Sequence, residues 1–128
     1  MTKIYSNDQI FQLAYNDGWV GLRGTKINVQ GIDFSFCPLW KNDKLRIKIS
    51  EVDTGALLFE IPIPRIISYI VNIREDLIEY YEAEIVPIIE LLIDGNGIEK
   101  IREETEKVKK QMIRKFGDMP YISDLEGE

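Results

Sequence analysis

Two short segments of alternating polarity, residues 25–29 and 32–37, are separated only by Gln30-Gly31. A two-residue loop joins antiparallel strands, and the spacing dictates their register. Setting Val29 opposite Ile32 brings Ile27 opposite Phe34 on one face. The same register gathers Lys26, Asn28, Asp33 and Ser35 on the other face. A slip of one residue would turn the apolar set towards water, so polarity and register agree. No other feature limits the possible folds as strongly: the chain must contain an antiparallel sheet with one apolar face.

The segments on either side extend that sheet. Residues 44–51 alternate strictly, with Leu45, Ile47 and Ile49 on one side and Lys44, Arg46 and Lys48 on the other. Lys41-Asn42-Asp43 forms the preceding turn, and Pro38 is expected to end the strand before it. Asp53-Thr54-Gly55 closes a further hairpin into residues 56–61, where Leu57, Phe59 and Ile61 face the core and Pro62 ends the ladder. Residues 19–23 supply a first strand, with Gly24 as its turn. Ahead of it, Ser6 and Gln9 fit a capping box, Tyr5 and Ile10 a hydrophobic staple, and Asn16-Asp17-Gly18 a stop signal. Residues 7–16 are therefore expected to form a short helix beside a meander of four or five strands.

The second half reads as helical. Pro64 suits a first helical turn, and Ile66, Ile70, Ile73 and Leu77 recur at steps of four and three, widened by Ile67, Val71 and Ile78. Residues 65–71 are also compatible with a strand, in which case Asn72 and Glu75 would cap a later helix start. Pro87 removes a donor and disfavours helical angles at Val86, which predicts a break or kink at residues 84–87. A short helix over 87–93 follows, with Ile88, Ile89, Leu91, Leu92 and Ile93 mostly buried. Gly95-Asn96-Gly97 reads as a tight turn, with Asn96 and Glu99 capping a last helix that Gly117 and Pro120 end. Ile98, Ile101, Thr105, Val108, Met112 and Phe116 form its narrow seam. That seam faces either the preceding helices or a second copy of the chain, a homodimer through Ile98, Ile101, Val108 and Met112. The predicted fold is α+β in one domain. Residues 1–63 hold a short helix and an antiparallel sheet, residues 64–117 a helical half packed on one face, and residues 118–128 an acidic tail able to dock through Met119, Tyr121, Ile122 and Leu125.

Composition narrows the chemistry. The 128 residues include no histidine and one cysteine, Cys37. Imidazole acid–base chemistry, serine–histidine triads and internal disulfides are thereby excluded. Residues 1–50 carry seven basic and four acidic side chains, and residues 51–128 carry nine and eighteen, which accounts for the formal charge of −6. That balance argues against general nucleic-acid binding. A chain with no basic-then-apolar leader and no apolar run of membrane length is expected to be cytoplasmic, without a membrane contact.

Between Glu75 and Asp94 every charged residue is acidic. Such a face is either simply solvated or a contact surface for a basic partner. Glu75, Asp76, Glu79, Glu82 and Glu84 are the candidate partner-binding residues of a small non-enzymatic protein that inhibits or regulates another protein. Small acidic chains without histidine and with abundant isoleucine suit immunity proteins and phage-encoded inhibitors of host defence. A second expectation is a binder of a phosphate-bearing small molecule such as a nucleotide signal. Arg23, Lys26, Arg46 and Lys48 would hold the phosphate and Trp19 or Trp40 would stack the base. A third is a carboxylate–metal enzyme built on Glu75, Asp76, Glu79 and Glu82. No cofactor is implied by any motif.

Overall fold

The computed structural model describes residues 2–15, 18–65, 67 and 74–124. Five strands form an antiparallel meander: β1 (Thr2–Tyr15), β2 (Gly18–Val29), β3 (Ile32–Lys41), β4 (Lys44–Glu51) and β5 (Leu57–Pro62). A two-residue strand, β6 (Ser123–Asp124), pairs with the outer edge of β1, so the order is β5-β4-β3-β2-β1-β6. Then come α1 (Arg74–Tyr80), a π-helical turn (Tyr81–Ile85), α2 (Val86–Asn96) and α3 (Ile98–Phe116). The α+β class holds, with one correction: the N-terminal segment is a strand.

The central hairpin has the register its spacing dictates, Val29 with Ile32 and Ile27 with Phe34. Gln30 and Gly31 both take positive φ, 52° and 90°, as a twist-matched two-residue turn requires. Asn42 and Asp43 turn β3 into β4 in the same way, with φ of 53° and 61°. Strand β3 does not stop at Pro38, which pairs with Ile47. Beyond Phe36, β3 has no further pairing with β2, so the missing N–H of Pro38 costs no ladder bond on that side. Leu57 does not face the core as expected: a register shift between Ile49 and Ser50 leaves it exposed, while Phe59 and Ile61 pack inward.

Residues 7–16 were expected to be helical from the capping box and stop signal around them, and Ile10, Phe11, Leu13 and Ala14 between these signals are also compatible with a helical face. The same residues alternate along a strand, with Phe11 and Leu13 on one side and Ile10 and Ala14 on the other. Pairing with β2 from Asp8↔Thr25 to Tyr15↔Gly18 selects the strand. Gly24 is inside β2 rather than at a turn. A Cβ there would lie 2.4 Å from the Phe36 carbonyl oxygen and 2.7 Å from Cys37 Sγ. That close approach lets the far part of the β1–β2 hairpin bend over the outer face of the sheet. Ala14 N–H then donates to Gly55 O at 2.9 Å. Phe11, Leu13 and Cys37 form a small second core beneath the bend, joined by Leu22, Val52 and Ile122.

The main core lies on the opposite face. Ile27, Val29, Phe34, Phe36, Leu45, Ile47 and Ile49 are covered by Tyr81, Ile85, Val86, Ile89 and Ile93. Phe36 and Tyr81 meet with ring centroids 4.8 Å apart. The helix does not break at Pro87. Val86 keeps helical angles, φ −54° and ψ −43°, and its N–H donates to Tyr81 O five residues back. Widening the turn removes the clash between the proline ring and the preceding carbonyls, so the chain passes Pro87 as one continuous helix. Gly95 and Asn96 extend α2 rather than turning, Gly97 separates the helices, and Asn96 bonds back to Leu92 O instead of capping α3. Of residues 65–71, the structure describes only Arg65 and Ile67, both helical; the strand alternative and the Asn72 cap otherwise lie outside the described residues.

The α3 seam turns inward. Ile98 and Ile101 pack on the main core, and the Thr105 hydroxyl donates to Glu51. Met112 and Phe116 line a cleft with Leu13 and Leu57, and Phe116 stands edge-on to Trp19 at 5.9 Å. Ile98, Ile101, Val108 and Met112 are half-buried within the chain. On α3, Lys107 approaches Glu104 at 3.7 Å. In the tail, Ile122 docks and Tyr121 is exposed, while Leu125 lies outside the described residues.

Candidate functional site

The acidic side chains expected to meet a partner lie along α1 and the wide turn. Glu75, Glu79, Glu82 and Glu84 are exposed, and Asp76 is half-buried and engaged within the protein. Among the described residues no group of three or more acidic or cysteine side chains is placed to hold a metal ion.

The structure adds what the sequence did not predict. Of the five apolar residues expected to be buried on α2, only Ile89 and Ile93 are. Ile88, Leu91 and Leu92 are 43%, 73% and 41% exposed. Ile88 and Leu91 are three residues apart in α2 and therefore share one helical face, with Glu84 in the wide turn just before them. Leu92 also borders a groove of about 260 Å³ between α2, α3 and the sheet edge, with Leu58, Ile101 and Val108 among its walls. Leu57 and Leu58 are exposed on β5, the outermost strand of the sheet. The result is an apolar surface along α2 and the β5 edge, next to an acidic helical segment. The signal was present in the sequence: five apolar residues within 88–93 surround the helix, and a single sheet face can cover only those at helical spacing.

The six residues considered for a phosphate-bearing ligand do not converge. Trp19 packs on Phe116, and its Nε1 donates to Gly117 O at 3.3 Å. Lys26 sits over the Tyr5 ring at 4.2 Å. Arg46 is paired with Glu60 at 2.9 Å, and Lys48 donates to the Tyr15 hydroxyl. Of the six, Arg23 and Trp40 line one cavity, of about 320 Å³, that also takes in Arg74, Asp8, Thr25, Leu45, Leu77 and Tyr81.

A bulge in β1 builds the polar wall of that cavity. Between Ile4 and Asp8 the register of β1 against β2 shifts, which re-aims the chain and brings Asp8 beside Thr25. One carboxylate oxygen of Asp8 accepts from Arg74 Nε at 2.7 Å and from the Thr25 hydroxyl at 3.0 Å. The other accepts from Arg23 Nε at 3.2 Å. Arg74 also donates through Nη2 to Tyr5 O, inside the bulge. Burial by itself would raise the Asp8 carboxyl. The bonds from Arg74, Thr25 and Arg23 outweigh it and hold the group below the usual carboxylate range. Arg74 was not a sequence candidate, although it is the last basic residue before the acidic run begins.

Cys37 is fully buried, and burial pushes its thiol up to about 12, so it is not poised as a nucleophile. Among the described residues no helix is long and apolar enough to cross a membrane. Comparison with protein-family models, with curated proteins and with solved structures gives no significant match.

Proposed function

We propose that this protein is a non-enzymatic binding protein that inhibits or regulates a partner protein through its helical face. The observation that carries this reading is the exposed Ile88–Leu91–Leu92 surface, set beside helix positions that hold only acidic charge. Stable interfaces pair a desolvated apolar centre with a polar rim, and a few centrally placed side chains carry most of the affinity. A face of this composition suits a basic amphipathic segment, whose apolar side chains enter the groove beside Leu92 and whose lysines or arginines meet Glu84 and its neighbours. An immunity-type or anti-defence role is a setting in which a small chain with such a surface would serve, and the composition favours it.

The test compares wild type with Leu91→Arg and with a Glu75→Lys/Glu79→Lys/Glu82→Lys variant. Each is used as affinity bait in extract of the native host. Burying Leu91 contributes about 2 kcal/mol, which corresponds to roughly thirtyfold in affinity. A stoichiometric partner held by wild type, lost with Leu91→Arg, and released by salt supports the proposal. A partner retained equally by both folded variants overturns it.

A further inference from the structure

We propose that the groove beside Leu92 is an anchor pocket for one lysine or arginine side chain of the partner, with Glu51 as its counter-ion. This rests on the partner-binding reading and adds a basic side chain to those that enter the groove.

The walls are apolar, and one half-buried carboxylate is set into them. Phe34, Leu58, Ile89, Leu92, Ile101 and Val108 line the groove together with Glu51, the last residue of β4. The Glu51 side chain reaches across to α3, where the Thr105 hydroxyl donates to Oε2. Among the described residues no lysine or arginine is in ion-pair contact with it. Burial raises its carboxyl, the Thr105 bond partly opposes this, and the Asp53 charge raises it further. A carboxylate drawn out of water without a cation is a cost that the free protein carries. A cation brought to it recovers that cost, and recovers more between apolar walls than on open surface. Lys100 and Glu104 also line the groove, four residues apart on α3, and both are exposed. Glu104 is met by Lys107 at 3.7 Å, so the charges of this rim offset one another.

Size and polarity select the occupant. At about 260 Å³ the groove is smaller than the usual site for a whole organic ligand and suits a single long side chain. Lysine and arginine carry a cation on an apolar stem. The stem covers Leu58, Leu92 and Val108 while the cation meets Glu51. An aliphatic side chain would fill the same walls but leave Glu51 covered more deeply and still without a cation. An acidic one would add repulsion.

The experiment is an NMR titration of the intact protein with n-hexylamine, n-hexanol and hexanoate at neutral pH, repeated on Glu51→Gln. Glutamine keeps an acceptor for Thr105, and circular dichroism checks that the variant is folded. Hexylamine should bind about fivefold or more tighter than hexanol, with shifts at Leu58, Leu92 and Val108, and hexanoate should bind weakest. In Glu51→Gln the preference for the amine should vanish. Glu51→Gln is then used as bait beside wild type, and capture of the partner should weaken about fivefold or more. The proposal is overturned if hexylamine does not bind at 10-millimolar order, if hexanol binds as tightly, or if Glu51→Gln keeps the preference. It is also overturned if Glu51→Gln captures the partner undiminished. Should that partner still be lost with Leu91→Arg, the partner-binding reading stands without the anchor.

Discussion

Replacing Asp8 by alanine tests whether the β1 bulge is tied to the helical half by its carboxylate. Three donors lose their acceptor. A hydrogen bond involving a charged group contributes about 1.5–3 kcal/mol, and Arg74, two-thirds covered, falls in that range. The buried Thr25 hydroxyl, left without a partner, costs about 1–2 kcal/mol more. Arg23 is half exposed and adds little. Removing the carboxylate also relieves its own desolvation, so the net cost is about 2–4 kcal/mol, a sizeable share of a typical domain stability. Urea denaturation at pH 7 measures it. A double-mutant cycle with Arg74→Met should return a coupling above about 1 kcal/mol.

The pH dependence supplies an independent check. The folded Asp8 carboxyl lies below its ordinary value. Its stabilisation is therefore complete above the unfolded value, at about pH 4, and fades as pH falls through the lower folded value. The gap between wild type and Asp8→Ala should be constant from pH 7 to about 5 and narrow below about 4. A cost under about 1 kcal/mol, or a gap that stays constant in acid, would refute the tie.

Two further substitutions probe the bend and the α3 contact. Gly24→Ala places a methyl group 2.4 Å from a backbone oxygen, which cannot swing aside, and should cost about 1–3 kcal/mol or more in urea. Gly21→Ala meets Ile10 Cγ2 at 3.0 Å, a side-chain atom that can yield, and should cost less. Burial raises the Glu51 carboxyl, with repulsion from Asp53 adding to it and the Thr105 hydroxyl partly opposing it. The native state thus keeps this proton longer than the unfolded chain, and wild type loses stability as pH rises from about 4.3 through the raised value. Glu51→Gln keeps an acceptor for Thr105 and should gain about 0.5 kcal/mol at pH 7, discounted for partial exposure, with no difference at pH 3. A loss at pH 7 would show that the contact depends on the charge.

The sheet was legible where local chemistry and tertiary pairing agree. Gln30-Gly31 and the alternation of Leu45, Ile47 and Ile49 determine their own register, because only one arrangement buries the apolar set. The first strand was not legible, since Ile10, Phe11, Leu13 and Ala14 between a capping box and a stop signal also fit a helical face, and nothing local reveals the pairing with β2 that selects the strand. The capping-box residues Ser6 and Gln9 sit instead in and beside the bulge, whose existence depends on β2. At Pro87 the irregularity was legible but its form was not: the chain does not break, because the wide turn ahead of the proline removes the clash of an ordinary α-turn. The acidic run was correctly seen, but its apolar neighbours were assigned to the core, because counting hydrophobic residues does not say how many a face can hold. Arg23 and Trp40 were singled out among six, whereas their companions Asp8 and Arg74 come together from positions 66 residues apart.

The wide turn before Pro87 also acts as an angular offset. One surplus residue in a helix shifts everything on one side by about 100° relative to the other. Glu75 and Glu79 precede this offset, and Ile88 and Leu91 follow it. Deleting a single residue within the turn would keep charge, hydropathy and length almost unchanged, yet swing the carboxylates away from their present bearing relative to the leucines. The chain thus sets the azimuth between its two kinds of surface by a local change of pitch, and a proline that cannot tolerate the tighter winding keeps it there.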